Sequence, residues 1–192
     1  MKITLPTAIT LFRIALIPLF VLVFYLPVPW ANIAATAIFA IASITDWVDG
    51  YLARSMQQES SFGAFLDPVA DKLMVCAVLV LLVADREITE PLLSPILFMI
   101  TVAIIIGREI TISALREWMA ELGQRGIVAV GWMGKVKTTL QFVSITILLF
   151  AQAGMQQPAL ILGELLLYVA GGLTLWSMIL YLKGAWPALT ER

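Results

Sequence analysis

The chain has 192 residues, 61% of them hydrophobic and 13% charged, with a formal net charge of −1 at pH 7 and no histidine; its mean hydropathy is +0.97. That balance excludes an ordinary soluble domain, in which about a quarter of the residues are charged, and makes a bilayer the natural solvent. The lack of His, with a single Cys, excludes zinc sites built on those ligands, so any metal must sit on oxygen.

A membrane-spanning helix takes about 20 apolar residues. Such stretches occur at 8–28, 31–54, 63–84, 92–108, 135–153 and 158–182. They predict an all-α polytopic membrane bundle of about six transmembrane helices, forming one domain over 1–192. The short connections make consecutive helices antiparallel neighbours, and every backbone polar group is satisfied inside a helix.

In the first stretch Lys2 precedes an apolar run, as in a signal peptide. Arg13 interrupts the run and further spans follow, so the segment reads as a retained helix. The second ends in Asp46-Trp47-Val48-Asp49-Gly50-Tyr51-Leu52-Ala53-Arg54, and the third carries Gly63, Asp67 and Asp71 near its start. Cys76, inside the third, has no disulfide partner in the chain and reads as a packing residue. The sixth contains Glu164, read as interfacial, and Ala170-Gly171-Gly172, read as a site of close helix packing. Trp30, Trp132 and Trp186 fall near span ends, where indole rings favour the membrane interface.

Eleven of the 12 Lys and Arg residues fall toward one side if the six spans alternate from a cytoplasmic N-terminus; Arg86 is the exception. Both termini are therefore expected in the cytoplasm. The same alternation brings the end of the second span, the start of the third, the end of the fourth and the start of the fifth to the cytoplasmic face.

Asp46 and Asp49, and Asp67 and Asp71, are spaced to share a helix face. A short loop joins their helices, so all four carboxylates fall at one depth. Unneutralised, they would raise one another's pKa on top of a desolvation cost of several kcal/mol per buried ion. A hard divalent cation on oxygen ligands is the economical counter-charge, with Mg²⁺ the default for phosphate chemistry. Two other readings stand beside it. The acids can be interfacial charges paired with Arg54 and Lys72, or they can mark an ion or proton pathway. Against a pathway, they cluster at one face while the distal halves of the spans are almost uncharged.

The pattern D-x-x-D-G-x-x-A-R, eight residues, then G-x-x-x-D-x-x-x-D is filled by Asp46, Asp49, Gly50, Ala53, Arg54, Gly63, Asp67 and Asp71. In this the chain resembles the CDP-alcohol phosphotransferase family. The resemblance takes in Leu5 to Arg13, Arg108-Glu109, Ser113 to Trp118 and Gly134 to Thr138, with Thr7 standing where many relatives carry Asn. It implies an enzyme of the bacterial cytoplasmic (inner) membrane that transfers the phosphatidyl group of CDP-diacylglycerol to sn-glycerol 3-phosphate. Membrane lipids would surround a homodimer with its active site facing the cytoplasm, and no nucleic acid is expected as a partner. Motif chemistry leaves open another alcohol as the acceptor.

The resemblance implies that Asp46, Asp49, Asp67 and Asp71 bind Mg²⁺, as one ion or two, with Mn²⁺ able to substitute. Asp71 would also be the general base. Gly50, Ala53 and Arg54 would hold the CDP moiety, with Thr10, Arg13 and Ser60 as further CDP-lipid candidates. For these last three, backbone bonding of the hydroxyls and snorkelling of Arg13 to the interface are equal alternatives. Arg108, Arg116, Lys135 and Lys137 are the expected cations for the acceptor's phosphate, with headgroup binding as the alternative. Lys135 and Lys137, two residues apart, cannot both point the same way in a regular helix.

Overall fold

The computed structural model describes residues 5–56, 61–123, 132–151 and 157–190, with only the backbone described at 6, 46–56, 61, 64, 67, 71, 132–135 and 188–190. Seven helices occur among these residues: α1 (Leu5–Phe24), α2 (Ala31–Met56), α3 (Ser61–Ala84), the single turn α4 (Arg86–Thr89), α5 (Pro95–Glu121), α6 (Trp132–Phe150) and α7 (Gln157–Thr190). The six long ones answer to the six apolar stretches. By length and hydropathy three segments are fit to cross a bilayer, Thr7–Phe24, Pro95–Glu121 and Gln157–Pro187, and Ala31–Thr45 and Val136–Phe150 are shorter apolar helices.

Helix ends follow local chemistry. Ser94, in an extended conformation, caps α5 by accepting the Leu97 amide, and Pro95 occupies the first turn, where its missing N–H costs nothing. At the other end Gly123 takes φ 72° and donates its amide to the Ala120 carbonyl, the left-handed closure that glycine adopts without a Cβ penalty.

The long helices form a closed circuit: α1 packs on α2, α2 on α6, α6 on α7, α7 on α5, α5 on α3, and α3 back on α1. Consecutive helices are thus neighbours at α1–α2 and α6–α7, but α5 lies chiefly along α7 and α3 instead of along α6. The expectation of sequential neighbours fails at α5 and α6, and α5 and α7 both run past the apolar spans. The spans read from composition end at 108 and 182, whereas the helices continue to Glu121 and Thr190. Beyond Arg108 the buried Ile112, Leu115 and Met119 recur at helical spacing and pack with Trp118, Tyr181 and Ala185 in a core of their own.

Lipid tails are as apolar as Leu, so close packing and buried polar contacts hold such a bundle together. Phe39 of α2 stacks on Phe142 of α6 with centroids 5.0 Å apart. On α7, a Cβ at Gly163 would lie 2.9 Å from Leu148, and the Ser144 hydroxyl donates to the Gly163 carbonyl at 2.7 Å. Gly171 meets α5, where a Cβ would sit 2.6 Å from the Thr101 methyl, while a Cβ at Gly172 would meet open space. Close packing, expected of both glycines, belongs to Gly171.

Glu164 is wholly buried and accepts the amides of Leu93 at 2.8 Å and Ser94 at 3.0 Å, and the Tyr168 hydroxyl donates to it. Glu164 thus caps the N-terminus of α5, a role the sequence reading did not include, where a carboxylate satisfies free N–H groups and the helix dipole. Trp30 and Trp186 are both exposed, in keeping with an interfacial position. Cys76 is half-buried and forms no disulfide among the described residues.

Candidate active site

The motif acids lie on the two arms of the α2–α3 hairpin. Asp46 and Asp49 are ten and seven residues before the end of α2 at Met56, and Asp67 and Asp71 are six and ten residues after the start of α3 at Ser61. At about 1.5 Å per residue, the outer pair lies about 15 Å from the connection and the inner pair about 10 Å. The two arms meet each other and both pack along α1. Pro68, within α3, removes one backbone N–H between the two acids of that arm. The side chains of Asp46, Asp49, Gly50, Ala53, Arg54, Asp67, Asp71 and Lys135 lie outside the described residues, as does all of Ser60. Gly63 is buried.

The face that α1 turns to this hairpin is polar at its N-terminal end. Thr7, Thr10 and Arg13 are buried at intervals of three, followed by Leu16 and Phe20. Arg13, 1% exposed, is among the largest fully buried side chains. Snorkelling to the interface is thereby overturned for Arg13: the residues at 7, 10 and 13 face inward together because the helix repeat puts them on one side.

Lys72 adjoins Asp71 in sequence, and its ammonium donates to the Ser113 hydroxyl of α5. Ser113 is one turn from Glu109. The turn of α3 that carries Asp71 is therefore level with the turn of α5 that carries the basic cluster. One cation that the alternative reading assigned to the aspartates thus reaches across to a neighbouring helix.

The basic cluster is built on Glu109. Its Oε1 accepts from Arg108 Nη1 at 2.5 Å and from Lys137 Nζ of α6 at 3.3 Å, with Arg108 6% and Lys137 3% exposed. Two buried cations about 6 Å apart would repel by about 3 kcal/mol at an effective dielectric constant of 20, and the carboxylate between them offsets this. Arg116 lies over the Tyr181 ring, its guanidinium carbon 5.8 Å from the centroid, a cation–π contact. Arg116 follows Arg108 by about two turns on the same helix, α5. Three cations therefore share one region with a single described counter-charge. The Nε atoms of Arg108 and Arg116 are buried and meet no hydrogen-bond acceptor among the described residues. Donors held in this way, with surplus positive charge, suit a phosphate.

Of the four acceptor-site cations expected from the sequence, the structure thus brings Arg108, Arg116 and Lys137 together. Sequence reasoning noticed Glu109 only as part of a motif and missed its bridging role. It also missed Gln141, buried one turn beyond Lys137 on α6, which the spacing of four from a buried lysine could have revealed.

Residues 3–176 match the model of the CDP-alcohol phosphatidyltransferase family. The chain belongs to this family. Its similarity to curated members runs from end to end. It is 52% identical over 195 residues to CDP-diacylglycerol--glycerol-3-phosphate 3-phosphatidyltransferase of Escherichia coli (strain K12), covering 100% of both chains. The same identity and coverage hold for the proteins of that name from Shigella sonnei (strain Ss046), over 195 residues, and Shigella flexneri serotype 5b (strain 8401), over 198. As a CDP-alcohol phosphatidyltransferase the chain is a membrane-embedded transferase, and the ion-pathway reading of its acids is set aside.

Proposed function

We propose that this transferase moves the phosphatidyl group of CDP-diacylglycerol to the hydroxyl of sn-glycerol 3-phosphate, giving phosphatidylglycerol phosphate and CMP. The observation that carries the choice of acceptor is the group of buried Arg108 and Lys137 with half-buried Arg116, whose positive charge exceeds that of Glu109. A phosphate-free alcohol would bring no negative charge to that group. The names of the full-length relatives support both substrates.

The acceptor's phosphate binds between Arg108 and Lys137, with Arg116 adding charge from the α7 side and Lys135 as a further cation. On the other side of Asp71, the CDP moiety lies along α2 at Gly50 and Ala53, which lack bulk, with Arg54 on its pyrophosphate. Thr10 and Arg13, buried on the face of α1 toward the hairpin, contact the same lipid, as does Ser60. Asp71 takes the proton from the attacking hydroxyl. The hydroxyl oxygen bonds to the phosphorus of the phosphatidyl group as the pyrophosphate bond breaks, and the electron pair leaves with CMP.

Four carboxylates form a hard, all-oxygen donor set, which fits Mg²⁺ or Mn²⁺. Held by Asp46, Asp49, Asp67 and Asp71, one ion or two would neutralise charge on the pyrophosphate. The distribution of basic residues supports a cytoplasmic active site and cytoplasmic termini in a bacterial inner membrane, and family resemblance supports a homodimer.

The test incubates the purified protein in detergent with CDP-diacylglycerol and a panel of alcohols, with and without chelator, and follows CMP. Release that requires glycerol 3-phosphate and stops with chelator is expected. Release at equal rates with inositol, serine or water would defeat the acceptor assignment.

A further inference from the structure

Arg108 and Lys137 come from different helices, and α5 packs chiefly on α7 and α3, not on α6. Helix packing alone therefore does little to fix one cation against the other. What joins them is a single atom, Glu109 Oε1, which accepts from both. We propose that Glu109 is a positioning residue, holding Arg108 and Lys137 as one preformed subsite for the acceptor's phosphate; this rests on the transferase reading above.

The geometry explains how a carboxylate can serve an anion site. It engages Arg108 through Nη1, leaving the buried Nε edge of the guanidinium without an acceptor among the described residues. It takes one of the three donors of Lys137, at a longer distance, the one hydrogen bond of that ammonium among the described residues. Each cation is thus anchored by part of its hydrogen-bonding capacity and presents the rest. Glu109 is itself 23% exposed, against 6% and 3% for its partners, so it lies at the edge of the cluster and the cations lie deeper. Without it, two buried like charges would face each other and move apart, and the acceptor would have to gather them again on binding.

The experiment measures CMP release by purified wild type, Glu109→Gln, Lys137→Ala and the double variant, varying glycerol 3-phosphate and CDP-diacylglycerol in turn. Glu109→Gln is expected to raise the KM for glycerol 3-phosphate at least tenfold and to move that for CDP-diacylglycerol less than twofold. On the Lys137→Ala background it should add less than threefold, because a residue acting through Lys137 has little left to position. An equal rise in both KM values, fully additive effects, or a lower acceptor KM would each overturn the proposal, the last by showing that the carboxylate competes with the phosphate. If Glu109→Gln does not fold, Glu109→Asp takes its place, with a smaller rise confined to the acceptor; a rise shared with the lipid overturns the role. Failure of the wild type to use glycerol 3-phosphate would instead defeat the acceptor assignment under Proposed function.

Discussion

Lys72 and Ser113 tie α3 to α5 one residue from Asp71 and one helical turn from Glu109. This contact spans the two halves of the proposed site, with the base on one side and the acceptor's cations on the other. Lys72→Met, which keeps the apolar stem and removes the donor, is expected to lower kcat about tenfold, or ~1.4 kcal/mol in the barrier, with KM values nearly unchanged. Asp71→Asn should abolish transfer and leave CDP-diacylglycerol binding intact. Steady-state CMP release and lipid binding by the purified variants check both, and near wild-type turnover by Asp71→Asn would remove it as the base.

Arg13 offers a test of burial against snorkelling. Truncating a large, fully buried side chain to Ala leaves a cavity and costs about 2–5 kcal/mol, so Arg13→Ala should lower the thermal midpoint in detergent sharply. Arg13→Lys should restore it only in part, since a lysine lacks the guanidinium fork. A change of less than about 0.5 kcal/mol, the usual result at an exposed site, would mean that the side chain reaches the interface.

Glu164 separates stability from activity. Its loss strips the amides of Leu93 and Ser94, just before α5, of their acceptor, and hydrogen bonds to charged groups are worth about 1.5–3 kcal/mol each. Glu164→Ala should therefore destabilise by about 3 kcal/mol, and Glu164→Gln, which keeps one carbonyl oxygen, by less. Arg108 lies about 20 Å further along α5, so CMP release measured well below the unfolding transition should be nearly unchanged. A selective loss of turnover at low temperature would give Glu164 a role beyond the cap.

Gly171 and Gly172 are neighbours with opposite surroundings. Gly171→Val would drive its Cβ against the Thr101 methyl at the α5–α7 contact and is expected to cost about 1–3 kcal/mol, the range for overpacking. Gly172→Ala meets open space and should be neutral or stabilising by about 0.5–1 kcal/mol, since alanine suits a helix interior better than glycine. Thermal unfolding of the two variants side by side decides it.

The sequence by itself determined the solvent, the six long helices and the carboxylate hairpin. Each of these is written in local pattern: long apolar stretches, and acids at intervals of three and four. It also contained the motif that marks the family. Only the tertiary structure decided what depends on which helices meet. It turned Arg13 inward with Thr7 and Thr10, assigned Glu164 to the start of α5, and distinguished Gly171 from Gly172. It also drew Arg108 and Lys137 onto one oxygen of Glu109, although they are 29 positions apart and on helices that chiefly pack elsewhere. Helical periodicity says which residues share a face; it does not say which face is opposite. That choice is made by close packing and by the requirement that charges buried in an apolar bundle find partners.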